Sequence, residues 1–173
     1  MRGFILRLFL FGIKLQPRNR ISRGDVMSVC LGKPGAIAGI SGNELAPDLY
    51  GSVKFYQMNM GCLVVADIFG LPNSNTNIFG FHIHEGESCS GTQFSDTESH
   101  YDPAKKNHPN HAGDLPPLFS CKGKAFLAVC TDRFSVDEIL GKTVVIHSDP
   151  DDFHTQPAGN AGQKIGCGVI TAL

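Results

Sequence analysis

From residue 82 onward, six of the seven histidines and two aspartates of this 173-residue chain fall in an ordered series: His82, His84, His100, His108, His111, Asp114, His147 and Asp151. Histidine is the commonest transition-metal ligand, and imidazole suits zinc, copper, iron and nickel. His82 and His84 flank a single residue. In a strand their imidazoles project from one face while Phe81 and Ile83 project from the other, which makes a preorganised two-nitrogen chelate. His100, His108, His111 and Asp114 lie within 15 residues and supply four N/O donors. That is the count for tetrahedral zinc without cysteine. Gly113 lets the backbone turn so that His111 and Asp114 converge. His147 and Asp151 then stand where a further ligand and an orienting carboxylate would be wanted. A metal centre for two ions is the expectation; a solvated His-rich loop is the alternative.

Such a centre needs a rigid frame, and the pattern predicts strands. Short apolar or alternating runs cover Gly35–Ile40, Ser52–Met58, Cys62–Phe69, Ile78–His84, Lys124–Thr131, Lys142–Ser148 and Lys164–Thr171. Turn-forming stretches such as Leu71-Pro72-Asn73-Ser74-Asn75 separate them. Glu85 to Phe119 has almost no apolar periodicity. Loops of that length inside a domain are usually functional, and this one carries four of the candidate ligands. A second polar loop covers Asp149–Gly162. Ser135-Val136-Asp137-Glu138 fits a capping box before one helical turn. The expected fold class is all-β, a sandwich or barrel with two long functional loops.

Composition fits this reading and excludes others. Charged residues are 18% and the net charge is -1, so no basic surface for nucleic acid is indicated. Glycine, at 20 residues, exceeds the usual share of roughly 7%. Residues 1–32 read as an extension to a single domain at 33–173. The apolar stretch in Met1–Arg20 is interrupted by Arg7 and is far shorter than the roughly 20 residues of a membrane span. Three readings of it stand: a poor export or anchoring signal, a disordered basic extension, or sequence ahead of a true start at Met27. Cys62 and Cys130 lie in apolar runs and read as small buried hydrophobes. Cys30 and Cys121 read as loop thiols.

Gly80-Phe81-His82-Ile83-His84-Glu85 resembles the copper-binding signature of the copper/zinc superoxide dismutases. Gly159-Asn160-Ala161-Gly162, followed by Ile165-Gly166-Cys167-Gly168-Val169-Ile170, resembles that family's C-terminal signature. The likeness runs from about Ala36 to Thr171 and is most specific after Phe79. Asp114-Leu115-Pro116-Pro117-Leu118 and Thr155-Gln156-Pro157 look like bacterial relatives. The resemblance implies a flattened Greek-key β-barrel of about eight strands, an immunoglobulin-like sandwich architecture. It implies copper at His82, His84, His100 and His147, and zinc at His100, His108, His111 and Asp114, with His100 shared. Asp151 would accept hydrogen bonds from the outer nitrogens of His82 and His108. Cys89 and Cys167 would form a disulfide. The implied reaction converts superoxide to dioxygen and hydrogen peroxide by cycling Cu(II)/Cu(I).

Two departures from the family pattern stand out. The family usually has an arginine three residues before its last half-cystine; here that position is Lys164. Lysine keeps the charge that steers the anionic substrate but loses the planar two-pronged donor, so a slower enzyme is expected. Only Pro109 and Asn110 separate His108 from His111, a shorter spacing than usual, so zinc geometry is expected to differ. His154, the seventh histidine, reads as exposed or as an outer partner of the site. The competing function is a non-enzymatic copper/zinc binding or delivery protein on the same scaffold. The chain reads as a monomer or homodimer. The implied disulfide favours an oxidising compartment, but four further cysteines and the interrupted N-terminal run tilt the reading toward the cytoplasm.

Overall fold

The computed structural model describes residues 32–173. The readings for Met1–Arg20, Met27 and Cys30 lie outside the described residues. Nine strands are present among the described residues: β1 (Ala36–Gly42), β2 (Tyr50–Gln57), β3 (Cys62–Phe69), β4 (Ile78–Phe79), β5 (Phe81–His84), β6 (Leu118–Phe119), β7 (Lys124–Thr131), β8 (Thr143–His147) and β9 (Lys164–Ala172). Seven of them form one curled antiparallel sheet in the order β5-β8-β9-β1-β2-β3-β7. This half-barrel is completed by the β4–β6 ribbon, whose β6 lies against β7. Of the three non-consecutive neighbour pairs, β5-β8, β9-β1 and β3-β7, the first and last are Greek-key crossovers. The fold is therefore the expected all-β barrel.

The alternation in the sequence builds the interior. On β3, Cys62, Val64, Ala66 and Ile68 face inward and are fully buried; Phe55, Phe79, Phe81, Ile83, Ile146 and Ile170 meet them. Each of the valine, isoleucine and phenylalanine side chains contributes about 1.5–3 kcal/mol by leaving water. Burial pushes the Cys62 thiol up to about 11, so Cys62 behaves as the small hydrophobe expected of it. Cys130 does not. It is exposed, because β7 borders the sheet's end and its Phe126, Ala128 and Cys130 point outward while Ala125, Leu127 and Val129 point in. Cys121 is an exposed loop thiol.

Ile78–His84 is not one strand. It breaks at Gly80, so that β4 pairs with β6 while β5 pairs with β8. The register of β5 on β8 is His82↔Val145 and His84↔Thr143, and that of β8 on β9 is His147↔Lys164. This places both histidines of β5, His147 and Lys164 along the β5-β8-β9 side of the barrel. The helical turn appears as a 3-10 turn, Asp137–Ile139, preceded by Ser135, whose backbone N–H and hydroxyl both donate to Glu138 Oε2 (2.7 Å each). Among the described residues no helix is long and apolar enough to cross a membrane.

The long loop is fastened to this frame in two ways. Its backbone lies along the free edge of β5, where Tyr101 N–H donates to Ile83 O (2.8 Å) and Ile83 N–H to Gly113 O (2.9 Å). Edge strands need such cover. Gly113 lies in the His111–Asp114 turn (Asp114 N–H to His111 O, 3.3 Å) and also serves that contact: a Cβ there would sit 2.2 Å from Ile83 O. The Cys89–Cys167 disulfide, with a Cα–Cα distance of 5.8 Å, ties the loop to β9 across 78 residues. Cys89→Ser is expected to lower stability by about 2–5 kcal/mol, read from denaturant unfolding. An unchanged midpoint would show that the backbone pairing alone fastens the loop.

Candidate metal centre

Two groups of buried donors meet at one residue. His82, His84, His100 and His147 offer ligand atoms that all lie within 4.8 Å of one another, and so do His100, His108, His111 and Asp114. His100 belongs to both. All seven are buried. Strand alternation turns His82 and His84 away from the core, with Phe81 and Ile83 on the opposite, fully buried face. Backbone bridges His82↔Asp114 and His84↔His100 bring the loop's donors against them.

The outer hydrogen bonds fix which ring nitrogens point inward. Asp151 lies 2.8 Å from His82 Nε2 (through Oδ2) and 2.8 Å from His108 Nε2 (through Oδ1). A carboxylate only accepts, so both Nε2 atoms carry the proton and both Nδ1 atoms keep a lone pair. His84 Nδ1–H donates to Glu98 O (2.9 Å), leaving its Nε2 with a lone pair. That atom is 3.3 Å from His147 Nε2, while His147 Nδ1 faces Gly162 O at 3.5 Å. The pair is satisfied by a proton on His147 Nε2 or by a cation between the two nitrogens.

The second group has the same character. Asp114 lies 2.7 Å from His100 Nδ1, 3.1 Å from His108 Nδ1 and 3.2 Å from His111 Nδ1. His108 Nδ1 makes no hydrogen bond despite its distance, and His82 Nδ1 and His100 Nε2 are also buried without a partner. Buried polar atoms are normally paired. These three belong to a nitrogen-and-carboxylate donor set suited to two transition-metal ions. The His108–Pro109–Asn110–His111 spacing therefore does not prevent convergence.

Electrostatics keep the donors ready. Burial lowers His84 and His147 well below the ordinary histidine value, and lowers His82 less, so these rings are neutral donors. Burial acts to raise Asp114 and Asp151. Histidine hydrogen bonds outweigh it and hold both carboxyls below their usual range. Lys164, lowered by burial, donates to Thr97 Oγ1 (2.7 Å) and Glu98 O (2.9 Å). Glu98 O thus joins Lys164 to His84. Lys164 lines an open cavity of about 460 Å³ together with His84, His100, His147, Pro157 and Gly162. His154 stays outside, exposed and bonded to Asp152 O.

A Greek-key β-barrel whose loops bring two such donor groups together through one histidine defines a class of barrel proteins with a candidate two-metal centre. Residues 49–170 match the family model described as copper/zinc superoxide dismutase. The chain is 35% identical over 138 residues to "Superoxide dismutase [Cu-Zn] 2" of Aquifex aeolicus, covering 71% of this chain and 80% of the relative. It is 33% identical over 132 residues to the corresponding Legionella pneumophila protein (72% and 79% covered). It is 31% identical over 176 residues to that of Deinococcus radiodurans (88% and 94% covered). The chain belongs to the copper/zinc superoxide dismutase family.

Proposed function

We propose that this chain dismutates superoxide, taking up two protons per pair of superoxide anions to give dioxygen and hydrogen peroxide. His82 Nδ1 with the Nε2 atoms of His84, His100 and His147 holds copper. The Nδ1 atoms of His100, His108 and His111 with Asp114 hold zinc. Copper, when bound, supplies the one-electron couple, whereas zinc has no second accessible redox state. The observation that carries this reading is the convergence of inward-facing ring nitrogens on two points that share His100.

The chain's own groups supply the rest. His100 is the residue with a nitrogen in each set, so it can hold a proton at Nε2 on the side facing the cavity. Asp151 keeps His82 and His108 in the ligating tautomer. Lys164 places a positive charge at the cavity wall, attracting the anion. Superoxide is small, and the cavity opens to solvent beside His84 and His147. His147→Ala is expected to abolish turnover in protein supplied with both metals. Rapid superoxide decay in that variant, matching the wild type, would remove the reading.

The lysine gives a second expected result. A lysine attracts the anion only while protonated, and burial makes Lys164 deprotonate at lower pH than a free lysine. The second-order rate constant should therefore fall as pH rises through the alkaline range. Lys164→Arg keeps its charge there, so it should hold or raise the neutral-pH rate and flatten the alkaline decline. Stopped-flow or pulse-radiolysis rates across pH measure this. A large loss of rate in the arginine variant would show a site rebuilt around lysine.

A further inference from the structure

Two side chains outside the ligand set hold the zinc-side loop by its backbone. Arg133, just beyond β7, places Nη1 3.1 Å from Pro109 O, 3.1 Å from His111 O and 3.2 Å from Asp114 O. An NH2 end has two hydrogens, so three carbonyls at one nitrogen are not held by three separate linear bonds. Their negative ends face one another and are stable together only around a positive charge, which the guanidinium carries permanently. Gln156 grips the loop from the other side. Its Oε1 accepts from His108 N–H (3.0 Å), and its Nε2 donates to His108 O (2.8 Å) and His154 O (3.3 Å). The Gln156 segment is itself shaped by Asp152, whose carboxylate accepts from the backbone N–H groups of His154 (3.0 Å) and Thr155 (2.8 Å).

Each grip falls on ligand-bearing backbone. Gln156 fixes the peptide groups of His108, and Arg133 fixes the carbonyls of His111 and Asp114. With only Pro109 and Asn110 between the two histidines, small backbone rotations would move one Nδ1 away from the other. Neither Arg133 nor Gln156 belongs to either donor group. We propose that Arg133 and Gln156 are positioning residues that set the metal affinity of the His100–His108–His111–Asp114 site by clamping its loop between β7 and the second loop. This rests on the zinc assignment above.

The test uses the full chain loaded with copper. Zinc affinity is measured by chelator competition for wild type, Arg133→Met, Arg133→Lys and Gln156→Glu. Cobalt absorption reports the geometry of the zinc-side site, and copper EPR reports the other. Arg133→Met should weaken zinc on the order of 10–100-fold, the usual effect of losing an outer partner of a metal site. Arg133→Lys should recover most of that, because a point charge can still gather the three carbonyls. Gln156→Glu, which sets a carboxylate against His108 O, should weaken zinc by about tenfold. The copper signal should be unchanged, and the loss in melting temperature should be larger with zinc than without it. Zinc affinities within twofold of wild type for Arg133→Met and Gln156→Glu would overturn the clamp. So would equal melting losses with and without zinc. If Arg133→Met fails to fold, Gln156→Glu decides the matter by the same thresholds. A wild type that takes up no zinc overturns the zinc assignment and the clamp with it; tight wild-type zinc with unaffected variants overturns the clamp alone.

Discussion

Asp151→Asn is expected to weaken at least one of the two metals on the order of 10–100-fold, with loss of dismutase activity wherever metal is not in excess. The carboxylate accepts from His82 on one oxygen and from His108 on the other (2.8 Å each), and Oδ1 also accepts from Phe153 N–H (2.7 Å). An amide has one oxygen. Its NH2 must then face one of the two imidazole N–H groups, leaving two donors opposed at a buried position, or that ring must switch tautomer. A switched His82 carries its proton on Nδ1, and a switched His108 likewise, so either change removes a ligand. A buried donor left unpaired costs about 1–3 kcal/mol. Competition titrations for copper and zinc on the same variant measure the effect. Unchanged affinity for both metals would mean that Asp151 holds neither ring's tautomer.

Gly159→Ala is expected to damage the same bridge without replacing any ligand. A Cβ at 159 would lie 2.2 Å from Asp151 Oδ1 and 2.6 Å from His108 Nε2. The backbone there has φ of 68°, which adds roughly 1–2 kcal/mol of strain for any residue with a Cβ. Asp151 must withdraw from His108, so zinc affinity should fall at least about tenfold, in line with losing an outer partner, and the melting temperature should drop. Metal titration with calorimetry checks both. An alanine variant with wild-type zinc affinity would show that the Asp151–His108 bond contributes nothing to binding.

This glycine shows how the sequence could be read and where reading stops. Gly159 sits in a stretch that resembles a family signature, yet only coordinates show that it is squeezed against the carboxylate joining two loops. The two donor groups were legible, because histidines alternating on a strand and clustered in a loop converge once the loop packs on the strand. Cys62–Phe69 and Lys124–Thr131 were legible as strands to the residue, since each is a continuous apolar or alternating run bounded by turn formers. The break at Gly80 was not, because β4 and β5 share one apolar pattern and differ only in partner. Two-residue β6 is too short to have a period. Cys130 was misjudged because an apolar run at the end of a sheet does not reveal that one of its faces is uncovered. Arg133, Gln156 and the Glu98 carbonyl left no trace: they act on or through backbone oxygens, which every residue has.

The most direct test is superoxide-dismutase activity on chain reconstituted with copper and zinc, with both metals quantified in the same sample. Activity that rises in proportion to copper, reaches its maximum at one copper and one zinc per chain and vanishes in His147→Ala is the predicted result. Both metals bound at full occupancy with no acceleration of superoxide loss would contradict it and would assign the chain to metal holding or delivery instead.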